Sequence, residues 1–153
     1  MTARRTVTIL GATGSVGRST LDLIERAPDR FEVVALTARR DVEGLAELAR
    51  RFRPRLAVIG DEVCHQQLKE ALEGLPTRAE AGEAALADAA ASGAEWTMAA
   101  IVGTAGLKPV MRALEGGGTV ALANKEALVS AGEIMTGAAR EHGVELLPVD
   151  SEH

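Results

Sequence analysis

The run Val7-Thr8-Ile9-Leu10-Gly11-Ala12-Thr13-Gly14-Ser15-Val16-Gly17-Arg18-Ser19-Thr20-Leu21 decides the fold of this chain. Its first four residues are apolar or β-branched without polar alternation, the pattern of a strand buried on both faces of a parallel sheet. Glycines then recur every third residue, at 11, 14 and 17. An amphipathic pattern starts at once, with Val16, Thr20, Leu23, Ile24 and Ala27 at helical spacing and Pro28 as its stop. Strand, glycine turn and helix in that order form the phosphate-holding start of a Rossmann unit. Missing Cβ atoms there let backbone N–H groups approach a pyrophosphate at the positive end of the helix dipole. A glycine-rich turn that only packs tightly is the plainer alternative, and the strand and helix flanks weigh against it.

Size and composition narrow the field. A chain of 153 residues makes one ordinary domain with room for a core. Hydrophobic residues make up 46%, charged residues 25%, and the net charge is −5, which together describe a soluble globular protein. An acidic balance argues against nucleic acid as a partner, because phosphate backbones need a basic face. With aromatics at 2%, base-stacking platforms are lacking as well. Cys64 is the sole cysteine, so no internal disulfide can form and a reducing compartment is expected. The basic start Met1-Thr2-Ala3-Arg4-Arg5 precedes an apolar run too short for a signal peptide or a membrane span. A cytoplasmic protein without a membrane partner is the expectation.

Strands and helices alternate along the rest of the chain. Residues 31–37 and 55–59 read as strands around a helix at 42–52. A helix over 62–73 would turn Val63, Leu68 and Leu72 inward. The Ala-rich segment 77–94 holds a short strand near Arg78 and a helix around 82–91. Residues 96–102, 119–123 and 144–149 read as further strands, with helices at 107–114 and 126–141 between them. This alternation calls for an α/β fold, a Rossmann-like doubly wound parallel sheet with helices on both faces. Ligands in such sheets bind outside the carboxyl ends of the strands. The unusual polar and glycine clusters fall at those ends, at 11–17, 37–41, 103–106, 124–126 and 150–152.

Three of these clusters suggest chemistry. Where an NAD site carries a carboxylate about 20 residues past the glycines, this chain reads Thr37-Ala38-Arg39-Arg40-Asp41. Paired guanidiniums there favour a 2′-phosphate, and hence NADPH over NADH, against the alternative of a solvated Arg pair. Asp41 can instead cap the next helix. Lys125, one of three lysines beside fourteen arginines, stands between Asn124 and Glu126. It reads either as part of a capped helix start or as an electrophile facing the cofactor. If the chain is still extended there, Asp150 and Glu152, two apart, project to one side as hard oxygen ligands suited to Mg²⁺ or Mn²⁺. An acidic frayed end is the alternative. Ser151 between them can bond a substrate hydroxyl.

The glycine spacing is similar to that of many NADP-dependent reductases. More specifically, Gly11-Ala12-Thr13-Gly14-Ser15-Val16-Gly17, Ala99-Ala100-Ile101-Val102-Gly103, Ala121-Leu122-Ala123-Asn124-Lys125-Glu126-Ala127-Leu128-Val129 and Leu146-Leu147-Pro148-Val149-Asp150-Ser151-Glu152-His153 resemble, in order, the 1-deoxy-D-xylulose 5-phosphate reductoisomerase family. The likeness spans residues 1–153 but matches only that family's N-terminal NADPH-binding domain. It implies reduction and rearrangement of the deoxyxylulose phosphate to 2-C-methyl-D-erythritol 4-phosphate, in non-mevalonate isoprenoid synthesis.

By that resemblance Thr13, Gly14, Ser15 and Val16 hold NADPH phosphates. Arg39, Arg40 and Asp41 lie at the adenosine ribose, and Asn124 and Glu126 also touch the nucleotide. Lys125, Ser151 and Glu152 bind the sugar phosphate substrate. Asp150 and Glu152 ligate Mg²⁺ or Mn²⁺, which polarises substrate oxygens. The catalytic residues are then Lys125, Asp150 and Glu152. Where the family often has a small residue, then Lys or Ser, then Asn, this chain has Arg39-Arg40-Asp41, so side-chain contacts replace a main-chain one.

The same resemblance implies that the family's third acidic metal ligand, its substrate-phosphate pocket and its lid lie past residue 153. The missing catalytic domain is therefore an expected partner, with a homodimer for the full-length protein. Two carboxylates alone hold Mg²⁺ poorly, so residues 1–153 are expected to bind NADPH with little or no turnover. Two rival readings stand beside this one. A semialdehyde dehydrogenase-like domain would need Cys64 as a nucleophile, and an NADP(H)-sensing module would need no acidic pair.

Overall fold

The computed structural model describes residues 4–101, 107–123 and 125–149. Its elements run β1 (Arg5–Leu10), α1 (Ser15–Glu25), β2 (Phe31–Ala38), α2 (Val42–Phe52), β3 (Leu56–Ile59), α3 (His65–Ala71), β4 (Arg78–Ala81), α4 (Glu83–Ala90), β5 (Trp96–Ala99), α5 (Leu107–Gly116), β6 (Thr119–Leu122), α6 (Lys125–His142) and β7 (Glu145–Pro148). The strands form one sheet in the order β4-β3-β2-β1-β5-β6-β7, and every pairing is parallel. The chain therefore winds outward from β1 to β4, returns, and winds outward the other way from β5 to β7. The reversal lies between β1 and β5, where open sheets of this kind leave a crevice.

Both faces are covered, as neighbouring residues show. Ile9 packs with Leu21, Leu45, Leu48 and Leu68 on one face, while the adjacent Leu10 packs with Val110, Leu114, Leu122 and Met135 on the other. Leu36 likewise joins the first core, and Ala35 meets Val58 and Ala89 of the opposite layer. Thus α1, α2 and α3 cover one face, and α4, α5 and α6 the other. Successive side chains of a strand point to opposite faces, so strands buried on both sides must read as unbroken apolar runs.

Most boundaries expected from the sequence agree within a residue or two. The expected helix over 62–73 is different. Residues Glu62–Cys64 form a 3-10 turn, and α3 follows from His65. Asp61 caps the turn by accepting from the Val63 N–H at 3.0 Å. A turn of three residues shifts the phase of the side chains relative to an α-helix. Val63, expected inward, is 89% exposed, whereas Leu68 and Leu72 are buried as expected.

These differences set measurable costs. Leu48→Ala, which empties a fully buried position between α2 and the sheet, should cost about 2–5 kcal/mol in urea unfolding. Val63→Ser should change stability by no more than about 0.5 kcal/mol in the same measurement.

Candidate functional site

The carboxyl ends of the central strands are level with one another. Leu10, Ala99, Leu122 and Pro148 are register partners across β1, β5, β6 and β7. The ladder continues one residue further, with Ala100 N–H donating to Leu10 O, Ala123 N–H to Ala99 O, and Val149 N–H to Leu122 O. At about 4.8 Å per strand, Val149 stands roughly 14 Å across this rim from the glycine turn. The sequence-predicted clusters at 11–17 and 37–41 and the chain up to Val149 thus share one rim.

The glycines of the turn have separate jobs. Gly11 has φ +79°, and a Cβ there would sit 2.8 Å from the Ala100 carbonyl oxygen. Its close approach draws the turn against the end of β5. Gly17, in the first turn of α1, lies against Gly11 O, and a Cβ there would come within 2.7 Å of Ala12 Cα. The alternative of a packing turn therefore fits Gly11 and Gly17. Gly14 is different, since a Cβ would meet only Gly11 O at 3.7 Å, an ordinary contact. Its outer face is open, as a phosphate cradle requires.

Gly14 is also the N-cap of α1, without a side-chain cap and with no acidic residue in the first turn. The N-terminal N–H groups of a helix carry partial positive charge and seek acceptors. At α2, by contrast, Asp41 Oδ1 accepts from Gly44 N–H at 2.9 Å and Glu43 lies in the first turn. The reading of Asp41 as an N-cap is correct. One helix start supplies its own anion, and the other leaves room for one.

Thr37 holds the turn in place, a part the sequence reading did not give it. It is buried at the end of β2. Its Oγ1 accepts from Gly11 N–H at 3.0 Å, and its carbonyl accepts from Ala12 N–H at 2.7 Å. A lone Thr in an apolar strand run, opposite the glycine turn, was the available signal.

Arg39 and Arg40 are exposed on the turn after β2. Their backbone is tied to the next turn, since Asp61 N–H donates to Arg39 O at 2.9 Å. Arg40 Nε bonds Asp61 Oδ2 at 3.1 Å while its side chain stays 70% exposed. Such a surface pair contributes little stability and can yield to a stronger anion. Arg39 forms no ion pair among the described residues.

Several predicted residues lie outside this description. Asn124, Asp150, Ser151 and Glu152 are beyond the described residues, as are 102–106, and Lys125 and Glu126 are described only as the first residues of α6. Among the described residues, no three His, Cys, Asp or Glu side chains converge on a metal site, and no helix is long and apolar enough to cross a membrane. An open groove of about 580 Å³, lined by Arg4, Phe31, Glu25 and Arg51 among others, lies at the amino ends of β1 and β2, the opposite rim. There a hydrogen bond to Glu25 raises the Arg51 pKa above its ordinary value.

A family model described as 1-deoxy-D-xylulose 5-phosphate reductoisomerase matches residues 7–132. The chain belongs to this family. It is 60% identical to the reductoisomerase of Zymomonas mobilis over 153 residues, all of this chain and 39% of that protein. Against the Rhodospirillum centenum enzyme it is 55% identical over 149 residues, 97% of this chain and 37% of that protein. The chain therefore spans about two fifths of the length of the curated relatives it matches. The solved Zymomonas mobilis reductoisomerase in complex with NADPH superposes with a TM-score of 0.94 at 61% identity, over 98% of this chain and 40% of that one. A reductoisomerase solved with NADPH, fosmidomycin and magnesium gives a TM-score of 0.91 at 39% identity, over 97% of this chain and 37% of that one. The doubly wound fold expected from the sequence is the fold of this family's NADPH-binding part.

Thr37→Val keeps the volume of the side chain and removes the acceptor for Gly11 N–H. It should destabilise the chain by about 1–3 kcal/mol in chemical unfolding and speed hydrogen exchange at the Gly11 amide. Thr37→Ser, which keeps the hydroxyl, should retain slow exchange there.

Proposed function

We propose that this chain is the NADPH-binding domain, residues 1–153, of an enzyme that converts 1-deoxy-D-xylulose 5-phosphate to 2-C-methyl-D-erythritol 4-phosphate. The observation that carries the reading is the glycine turn at the β1/β5 crevice, with Gly14 open and α1 lacking an acidic cap. Close likeness to a relative solved with NADPH supports it.

In this reading Thr13, Gly14, Ser15 and Val16 present backbone donors to the pyrophosphate, and Arg39, Arg40 and Asp41 surround the adenosine ribose. Asn124 and Glu126 hold the nucleotide further along the rim. Lys125 sets a positive charge beside the substrate, while Ser151 and Glu152 bond its hydroxyls. Asp150 and Glu152 are the carboxylates that hold Mg²⁺ or Mn²⁺, and their support is a separation of two residues in the sequence shortly after β7. When bound, the dinucleotide supplies hydride and the cation supplies Lewis-acid polarisation. The chain's own task is to fix the geometry between them, because effective concentration follows from placement.

Cytoplasmic location, homodimer formation and completion of the site by a catalytic domain belong to the same reading. A free edge on β7, paired only with β6 among the described residues, is a surface on which association can build. The semialdehyde dehydrogenase alternative finds no support at Cys64, which is half-buried against the apolar core of the α1–α3 face.

Residues 1–153 should bind NADPH in a calorimetric titration yet show no NADPH oxidation with deoxyxylulose phosphate and Mg²⁺. Rapid oxidation by this segment alone would refute the division of labour. Joined to the remainder of the family's length, Asp150→Ala with Glu152→Ala should abolish turnover while NADPH affinity stays within about threefold. Wild-type turnover by that variant would favour the sensing module.

A further inference from the structure

Arg18 follows the last glycine of the turn and lies near the start of α1. In the structure it reaches back and sideways. Its Nε donates to Thr13 O at 3.0 Å, and an Nη2 lies 2.9 Å from where a Gly44 Cβ would be. Glycine inside a helix costs about 1 kcal/mol relative to Ala, so Gly44 in the first turn of α2 calls for a reason. A side chain there would displace the Asp41 carboxylate from its cap or push this guanidinium aside. Arg18, bonded to the glycine turn, thus reaches the open space at Gly44 beside the start of α2.

The charges around that point matter. Asp41 caps α2 with a carboxylate that by itself would repel a 2′-phosphate, and Arg40 shares its guanidinium with Asp61. The Arg18 guanidinium borders the same space at Gly44 as the Asp41 carboxylate, forms no salt bridge among the described residues, and keeps its terminal N–H groups available.

We propose that Arg18 is a specificity-determining residue for the 2′-phosphate of NADPH, closing with Arg39 and Arg40 a seat for that dianion. This rests on the proposed NADPH reading of the rim. The Thr13 bond pre-orders the guanidinium, and its charge offsets that of Asp41 beside it.

The test is titration of the full 153-residue chain with NADPH, NADH, adenosine 2′,5′-bisphosphate and AMP. Arg18→Ala should weaken NADPH and the bisphosphate by about 10- to 100-fold, and leave NADH and AMP within about threefold. Arg18→Lys should recover part of the loss. Arg18→Gln, which keeps a donor for Thr13 O without the charge, should behave like Arg18→Ala and guards against misfolding of the shorter variant. Equal weakening of all four ligands would mean that Arg18 only braces the turn, and would overturn the proposal. So would unchanged NADPH affinity. Failure of the unmutated chain to bind either NADPH or the bisphosphate would instead sink the cofactor reading itself, and this proposal with it.

Discussion

At Gly11 three backbone segments meet in a space that admits no side chain. The turn after β1 lies against the Ala100 carbonyl of the β5 end, and Gly17 of α1 lies against Gly11 O. Thr37 at the end of β2 anchors the same turn through its hydroxyl and its carbonyl. At the reversal of winding β1, β2, β5 and α1 thus converge without a Cβ between them. Interiors are close-packed, so a methyl group at Gly11 or Gly17 would have to move main chain rather than a flexible side chain. That contact fixes where the glycine turn stands on the rim.

The rim also has a distribution of charge. Two helices begin side by side, and their N-terminal dipoles both favour anions. The start of α2 is neutralised internally by Asp41 and Glu43. The start of α1 has no such group, and Arg18 near it is bonded back to Thr13 O. An acidic chain with net charge −5 thus keeps the first turn of α1 free of acidic residues. Net charge describes solubility and bulk partners; the local field at a helix start governs a small anionic ligand.

The register across the sheet sets the strand ends level. Leu10, Ala99, Leu122 and Pro148 stand level in parallel strands, so the chain leaving β7 emerges on the rim where the glycine turn opens. A parallel sheet has all its carboxyl ends on one side, and a ligand that spans several strands can touch residues far apart in sequence.

Much of this was legible in the residues themselves. The apolar run 7–10, the glycines at 11, 14 and 17, and the alternation of strand and helix follow from local sterics and periodicity. Asp41 as a cap follows from its place before an apolar periodic segment. Val63 was misread because a three-residue turn changes the side-chain phase, and its composition hardly differs from a helix start. Thr37, Arg18 and Gly44 were silent for another reason. Their roles rest on contacts across 26 residues, as between Thr37 and Gly11, or between the start of α1 and that of α2. Periodicity records what a residue faces within its own element. Only the packed arrangement of separate elements decides which hydroxyl meets which amide, and which helix start is left open to a ligand.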